Sequence, residues 1–267
     1  MSKIIWDSLQ QSNMKNLVYI VSIDHNSSRY KFSDFSVNCI ESWKYWCDKN
    51  NIDIIVQYES DPRVVMPIWN KEFVFDKFET DKYEKIAVVD SDTMIKWNAP
   101  NFFELYEDEF CGVVDSANLR WVDNSIRTYK EHFEEFKDIE LPLHEYINAG
   151  VLMFHKSHKH VFDELVSFYL KHKNILDNWN IGGVGKEQTI FNLMLKKLNV
   201  KKKLLSPEWN LISMQKRGML DYNWQLNEVK VPFFINYSYI WHFTGISIET
   251  KQSMIDQTWA IIKHNYQ

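Results

Sequence analysis

Apolar and polar segments alternate along the chain in a way that predicts regularly spaced strands and helices. Apolar runs at residues 17–23, 52–58 and 86–89 are short and rich in β-branched residues, which is typical of buried strands. Between the first two runs, apolar residues recur near helical spacing, at Phe32, Phe35, Ile40, Trp43 and Trp46. Strands that alternate with helices in this order predict an α/β protein whose central, mostly parallel sheet is flanked by helices.

The same patterns extend to the end of the chain. They predict, in order, a helix around 67–80, a strand at 110–114, a helix over 123–140, a strand at 151–154, helices at about 157–173 and 186–198, short strands within 233–239, and a last helix around 254–262. No Pro-rich or Ser-rich linker and no internal repeat separates these elements. We therefore expect a single domain over residues 1–267.

The most informative stretch is Asp90-Ser91-Asp92, which follows the apolar strand at 86–89 directly. In open α/β sheets, ligands bind beyond the carboxyl ends of the strands, and two carboxylates there suit a hard divalent cation. The oxygen ligands favour magnesium or manganese over zinc. The alternative is that one aspartate caps a helix and the other belongs to a turn.

Composition and charge narrow the range of partners. The net charge of −5 argues against general nucleic-acid binding, which depends on a basic surface. One basic cluster, over residues 196–203, is interpreted as a solvated helix end, with a polyanion or membrane-surface patch as the alternative. Aromatic residues make up 15% of the chain, and although most must be core, some are suited to stack on a sugar or base.

Cysteine usage and hydropathy bear on location. The chain has 3 cysteines without metal-ligand spacing, and an odd count suits reduced thiols. Its first residues are too polar for a signal peptide, and no apolar run approaches the roughly 20 residues that cross a bilayer. We expect a cytoplasmic protein without a transmembrane segment.

Two enzyme classes place an Asp-x-Asp motif after a strand. Haloacid-dehalogenase phosphatases expect Thr or Val two positions after the second acid, where this chain has Met94, and they need a downstream acid pair that the sequence does not show. Nucleotide-sugar glycosyltransferases of the GT-A (Rossmann-like) fold form the other class. A phosphatase or nucleotidyltransferase that uses the same acids remains an alternative, as does a non-catalytic protein that binds sugar nucleotides.

Four short motifs in order resemble glycosyltransferase family 8, the glycogenin and galactosyltransferase group. They are the stretch 81–92 that ends in Asp-Ser-Asp, Asn148-Ala149-Gly150, Glu187-Gln188, and 241–245 followed by Lys251. The resemblance implies a GT-A domain with a nucleotide-binding half at about 17–115 and a donor and acceptor half at about 116–267. It implies an enzyme that transfers a hexose from a UDP-sugar to a hydroxyl of a glycan, protein or small molecule, with retention of configuration.

The resemblance also assigns roles to individual residues. It implies a metal site formed by Asp90, Asp92 and His242. Because one ligand is an imidazole, Mn²⁺ is expected in preference to Mg²⁺. It implies catalytic or sugar-orienting roles for Asn148, Glu187 and Gln188. The expected donor contacts are Asp24, Tyr30, Lys71, Ser91, Ala149, Gly150, Gly245 and Lys251. Without the resemblance, His242 would be interpreted as a buried core histidine and Glu187 as an acid favoured at a helix N-terminus.

Overall fold

A mixed sheet of six strands, in the order β2-β1-β3-β6-β5-β7, forms the centre of the computed structural model, which describes residues 14–24, 32–178, 183–214 and 232–267. The strands of this sheet are β1 (Lys15–Val21), β2 (Asp53–Gln57), β3 (Tyr83–Asp90), β5 (Phe110–Val113), β6 (Val151–His155) and β7 (Lys202–Leu205). The pairs β1–β2, β1–β3 and β5–β7 are parallel, and β6 is antiparallel to both β3 and β5. The predicted mixed, mostly parallel sheet is confirmed.

Strand register determines where the functional edge lies. In the parallel pair β1–β3, Val21 is opposite Asp90, so both strands reach the same edge of the sheet at their carboxyl ends. The interior of β3 is fully buried, which explains the run of Ile, Ala and Val before Asp90. The aspartates therefore stand at the carboxyl edge, as the sequence pattern predicts.

Helices cover both faces of the sheet. They are α1 (Phe32–Lys49), α2 (Leu119–His132), α3 (Lys159–Asp177), α4 (Glu187–Lys197), α5 (Phe233–Tyr237) and α6 (Ile248–Ile262). On one face, Trp46 of α1 stacks on Phe102 with ring centroids 4.7 Å apart. Its neighbour Trp43 donates from Nε1 to the backbone oxygen of Thr93 at 3.1 Å. Helix α1 thus anchors the segment that follows Asp92.

A second, two-stranded sheet brings the C-terminal part of the chain to the aspartates. Strand β4 (Thr93–Ile95) pairs antiparallel with β8 (Ile240–His242), and Thr93 lies opposite His242. The sequence pattern did not predict β4, because a strand of three residues has too few positions to show a period. This pairing is what places His242 beside Asp92.

Three elements differ from the predictions. The segment predicted as a helix around 67–80 is a 3₁₀ helix, Pro67–Asp76, whose residues from Trp69 to Phe75 are all buried, so it lacks the one-sided pattern of an α-helix. The aromatic run predicted as strands within 233–239 forms the short helix α5, because burial of Phe234 and Ile235 overrides strand propensity. The helix predicted over 123–140 ends at His132 and continues as a separate 3₁₀ turn.

The basic cluster at residues 196–203 begins in the last turn of α4 and ends in strand β7. Lys196 and Lys197 occupy the last turn of α4, whereas Lys202 and Lys203 lie in the edge strand β7. Lys202 donates to the backbone oxygen of Glu145 at 3.1 Å, so part of the cluster is tied to the protein. Among the described residues, no helix is both long and apolar enough to cross a membrane.

Candidate functional site

Asp90 and Asp92 face the same region because the chain turns between them. Strand β3 ends at Asp90, whose backbone N–H still donates to Gly150 O at 2.8 Å. The Thr93 hydroxyl then donates back to Asp90 O at 2.6 Å and closes the turn. On a continuous strand, residues two apart share a face but stand apart along it; the turn brings these two carboxylates together.

His242 completes a compact cluster with the aspartates. The β4–β8 pairing and a hydrogen bond from Phe243 N to Asp92 O, at 3.0 Å, place its ring next to them. Its Nε2 lies 3.2 Å from Asp92 Oδ1 and 3.5 Å from Asp90 Oδ2. One ligand atom from each of the three residues lies within 4.8 Å of the others.

The donor atoms of the cluster are of the kinds that bind a divalent cation. Two carboxylates and one imidazole form an oxygen-rich set with a single nitrogen, which suits manganese. His242 Nε2 is buried and has no hydrogen-bond partner among the described residues, although it faces both carboxylates. A cation between the three residues would be bound by this nitrogen and by both carboxylates, so the donor set fits a metal ion at this point.

The charges of the cluster are strongly coupled. Although burial opposes its charged form, the neighbouring carboxylates of Asp92 and Asp90 raise the pKa of His242 to about 9. Burial also opposes ionisation of Asp92, but His242 and Lys251 together hold its pKa well below the ordinary value. Lys251 Nζ contacts Asp92 Oδ2 at 2.6 Å. Without a metal, the two basic side chains supply the positive charge that the aspartates need.

Lys71 connects the cluster to Glu187. Its ammonium lies 2.5 Å from Asp90 Oδ1 and 3.5 Å from Glu187 Oε1, and donates to Ala149 O at 3.2 Å. The sequence suggested Lys71 as a phosphate contact on a helix; in the structure it is buried and holds two carboxylates. Burial raises the pKa of Glu187, and the attraction of Lys71 only partly offsets this effect.

A network of buried amides lies behind the cluster. Ala149 N–H and the Asn148 amide both donate to Gln188 Oε1, at 2.9 and 3.1 Å. The Gln188 amide donates in turn to Asp115 Oδ2 at 2.9 Å. Asn210 donates to Asn148 Oδ1 at 2.9 Å. Four side chains that are far apart in the sequence thus shape the Asn-Ala-Gly segment.

Apart from His242, the predicted site residues fall into three groups. A cleft of about 390 Å³ beside the cluster is lined by Val21, Ile23, Met66, Pro67, Ile68, Lys71, Asp90, Ser91, Asp92, Glu187 and Lys251. The amides of Asn148 and Gln188 lie in the buried network, next to Ala149 and Gly150. Gly245 forms an exposed turn with φ +68° between β8 and α6, Asp24 follows β1, and Tyr30 lies outside the described residues.

Three buried residues at or beside the candidate site belong to none of the sequence motifs. Asn210 contacts both Asn148 and His242, but no motif marks it. Glu72 is buried beside Lys71 and Glu187, and both of its carboxylate oxygens lack a hydrogen-bond partner among the described residues. Asp115 follows β5 as Asp90 ends β3; its position at a strand end was the one available signal, compatible with a site acid or a turn.

Gly150 is required by the close approach of the His242 ring. A Cβ atom at position 150 would lie 2.0 Å from His242 Cε1 and 2.6 Å from Nδ1. We expect Gly150→Ala to displace the ring, to lower the free energy of unfolding by about 1–3 kcal/mol, and to weaken Mn²⁺ binding. Urea unfolding and a Mn²⁺ titration measure the two effects.

The matched control is Gly112→Ala, where a Cβ atom would lie 2.9 Å from Ile147 Cδ1. It should destabilise the fold without changing Mn²⁺ affinity, because Ile147 is not a metal ligand in the proposed site. Equal Mn²⁺ affinity in the parent and Gly150→Ala would contradict the role of the glycine.

Comparison with known proteins bears on the fold. No protein-family model matches this sequence, and no curated protein matches it. A solved glycosyltransferase, which is involved in the glycosylation of the major capsid of PBCV-1, is similar in structure with a TM-score of 0.55. The alignment covers 91% of this chain and 98% of that chain at 11% sequence identity. At this identity the comparison shows the fold alone, and the chain has the mixed α/β fold of a GT-A glycosyltransferase.

Proposed function

We propose that this protein is a metal-dependent glycosyltransferase that moves a hexose from a UDP-sugar to a hydroxyl acceptor. The observation that carries the proposal is the Asp90–Asp92–His242 cluster, which lies at the carboxyl edge of the sheet and beside a cleft of about 390 Å³. The fold shared with a solved glycosyltransferase supports it. In α/β sheets this edge is the usual place for a nucleotide ligand.

The diphosphate of the donor would be bound at the cluster. Asp90, Asp92 and His242 would hold Mn²⁺, or Mg²⁺ in its place. When bound, the ion supplies Lewis-acid stabilisation for the negative charge that develops on the leaving UDP. Lys251, whose ammonium lies 2.6 Å from Asp92, adds a second positive charge at the same side of the cleft.

The donor sugar would lie towards Glu187. Its buried carboxylate lines the cleft and pairs with Lys71 at 3.5 Å, and its charge can stabilise a cationic, oxocarbenium-like sugar. Asn148 and Gln188 are proposed to orient this end of the site through the Asn-Ala-Gly segment. Of the other proposed donor contacts, Ser91 lines the cleft and Gly245 forms the turn before α6.

The proposed reaction needs no side chain of the protein to accept the proton of the acceptor hydroxyl. The bond between the anomeric carbon and the phosphate oxygen breaks, and its electron pair leaves on UDP. The acceptor hydroxyl attacks from the same face, which gives retention, and its proton passes to the departing phosphate oxygen. The acceptor, which can be a glycan, a protein or a small molecule, is proposed to be bound by the region 115–145 and the C-terminal loops.

A panel of UDP- and GDP-sugars with Mn²⁺, scored for nucleotide release, tests the proposal. We expect release from at least one UDP-hexose, and a loss of about 100-fold or more when a chelator removes the metal, because metal stabilisation of the leaving group contributes several kcal/mol. Added Mn²⁺ should restore the rate.

The same panel separates the alternatives. Phosphate release from simple monoesters, with intact nucleotide sugars, would show a phosphatase. Pyrophosphate release from a nucleoside triphosphate would show a nucleotidyltransferase. Metal-dependent UDP binding without turnover of any donor would show a non-catalytic binding protein, and the proposed activity would be wrong.

A further inference from the structure

Backbone hydrogen bonds on both sides of Asn210 hold this residue beside His242. It follows a 3₁₀ turn, Pro207–Trp209, and its side chain is fully buried. On either side, Tyr239 N donates to Glu208 O at 2.8 Å and Leu211 N donates to Ile240 O at 2.9 Å. The segment 208–211 therefore runs alongside β8 and presents the Asn210 amide to the His242 ring.

The orientation of the Asn210 amide follows from a backbone donor. Gly150 N–H can only donate, and it lies 2.9 Å from Asn148 Oδ1, so that atom is the carbonyl oxygen. Asn210 bonds the same oxygen at 2.9 Å and must do so through its NH₂ group. Its own oxygen therefore faces His242 Nδ1 at 3.1 Å.

A second backbone donor supports the same orientation. Ala149 N–H donates to Gln188 Oε1, so this atom is the carbonyl oxygen of the Gln188 amide. The Asn148 group that contacts the same oxygen must then be its NH₂ group. Both ends of the Asn148 amide are thus assigned by backbone groups, and no flip of the amide satisfies the network.

This chain of amides determines how the two ring nitrogens of His242 are used. An amide oxygen only accepts, so Nδ1 carries a hydrogen whether the ring is neutral or charged, and Nε2 is the nitrogen that a metal ion would take in place of a proton. Nε2 is buried, lacks a hydrogen-bond partner among the described residues, and lies 3.2 Å from Asp92 Oδ1. Packing against Gly150 places the ring but does not decide which nitrogen is protonated.

We propose that Asn210 is a positioning residue, which fixes the orientation and tautomer of His242 so that Nε2 binds the divalent cation of the active site. Metal-ligating histidines are generally held through their other nitrogen by an oxygen acceptor, and here that acceptor is a side-chain amide. The Asn210 amide also connects the metal ligand to Asn148, and hence to the donor segment 148–150. This inference rests on the proposed metal site.

Mn²⁺ affinity, measured on the full chain by the electron paramagnetic resonance of free Mn²⁺ and without any donor, is the first test. We expect Asn210→Leu to weaken Mn²⁺ binding about 10–100-fold, because it removes the acceptor at Nδ1. Asn210→Asp keeps an oxygen acceptor for Nδ1 but loses the donor to Asn148. It should bind Mn²⁺ within a few-fold of the parent.

The two variants separate positioning from a merely structural role. Both lose the hydrogen bond to Asn148 and so should lose folding stability, but only Asn210→Leu should lose metal affinity. Asn192→Leu is the control, since Asn192 is also fully buried and its amide bonds the backbone of Ile147 and Gln188. It should destabilise the fold and leave Mn²⁺ affinity unchanged.

A spectroscopic readout keeps the proposal testable if Asn210→Leu does not fold. In the ¹⁵N spectrum of the Zn²⁺-saturated parent, His242 Nδ1 should be protonated and Nε2 should not. Protonation at Nε2, or equal loss of affinity in the leucine and aspartate variants, would overturn the inference alone. Failure of the parent to bind Mn²⁺ would overturn the metal site and this inference together.

Discussion

Asp92→Asn is expected to lower Mn²⁺-dependent release of nucleotide from the donor by about 100-fold or more, as removal of the metal by a chelator does. The substitution keeps the size of the side chain but removes the charge that would bind the ion. Loss of the ion removes several kcal/mol of stabilisation from the leaving diphosphate. The fold should survive, because His242 keeps Asp90 as a neighbouring carboxylate and, with Asp92 uncharged, becomes neutral more easily.

The rate and the thermal unfolding curve measure these two expectations. Asp123→Asn is the matched control: Asp123 is an exposed acid that pairs with Arg127 on α2, and this change should alter neither the rate nor the fold. A variant at Asp92 that retains the parental rate would show that the Asp-Ser-Asp motif is not the metal site. Loss of folding would show instead that the aspartate is structural.

Lys71→Met is expected to lower the free energy of unfolding of the metal-free protein by about 3 kcal/mol. Removing one partner of a buried ion pair costs about 3–5 kcal/mol, and the lower end applies because the Asp90 side chain is 27% exposed. The change leaves Asp90 and Glu187 without the cation that they share. Saturating Mn²⁺ should recover part of the loss, because Asp90 then has the ion as its partner.

Urea unfolding with and without Mn²⁺ measures both parts of this prediction. Lys130→Met is the control, since Lys130 pairs with the exposed acid Glu140 at the surface and should cost less than about 1 kcal/mol. If Lys71→Met lowers the free energy of unfolding no more than Lys130→Met does, the buried ion pairs of Lys71 do not stabilise the fold. If Mn²⁺ does not reduce the loss, Asp90 is not a ligand of the ion.

The elements that sequence patterns predicted best are those buried on one face or on both. The runs before Val21 and Asp90 are strands because β-branched residues fill a two-sided core, whereas the run before Gln57 forms the half-buried edge strand β2. The amphipathic spacing of α1 follows from burial of Trp43 and Trp46. The predicted helix was wrong at the 3₁₀ helix Pro67–Asp76, where a continuous buried run mixes polar and apolar residues and shows neither helical spacing nor a β-branched run. In such a segment the period carries no information.

The proposed site could be inferred from the sequence in part for the same reason. A carboxylate at a strand end leaves a local signal, so Asp90 and Asp92 could be singled out directly, and the glycosyltransferase resemblance added His242, Glu187 and Lys251. Asn210 left no signal, because one asparagine in an irregular segment looks like many others. The ion pair of Lys71 with Asp90 was also hidden, since a lysine near an apolar run is usually solvated.

The sequence by itself determined most strands of the central sheet, the helices that flank it and the position of two acids at its carboxyl edge, because hydrophobic periodicity is a local property of the chain. The tertiary structure decided which distant side chains meet those acids. Pairing of β4 with β8 places His242 beside Asp92, and the segment 208–211 places Asn210 behind His242. These contacts depend on backbone hydrogen bonds between remote segments, which no local pattern of residue types encodes.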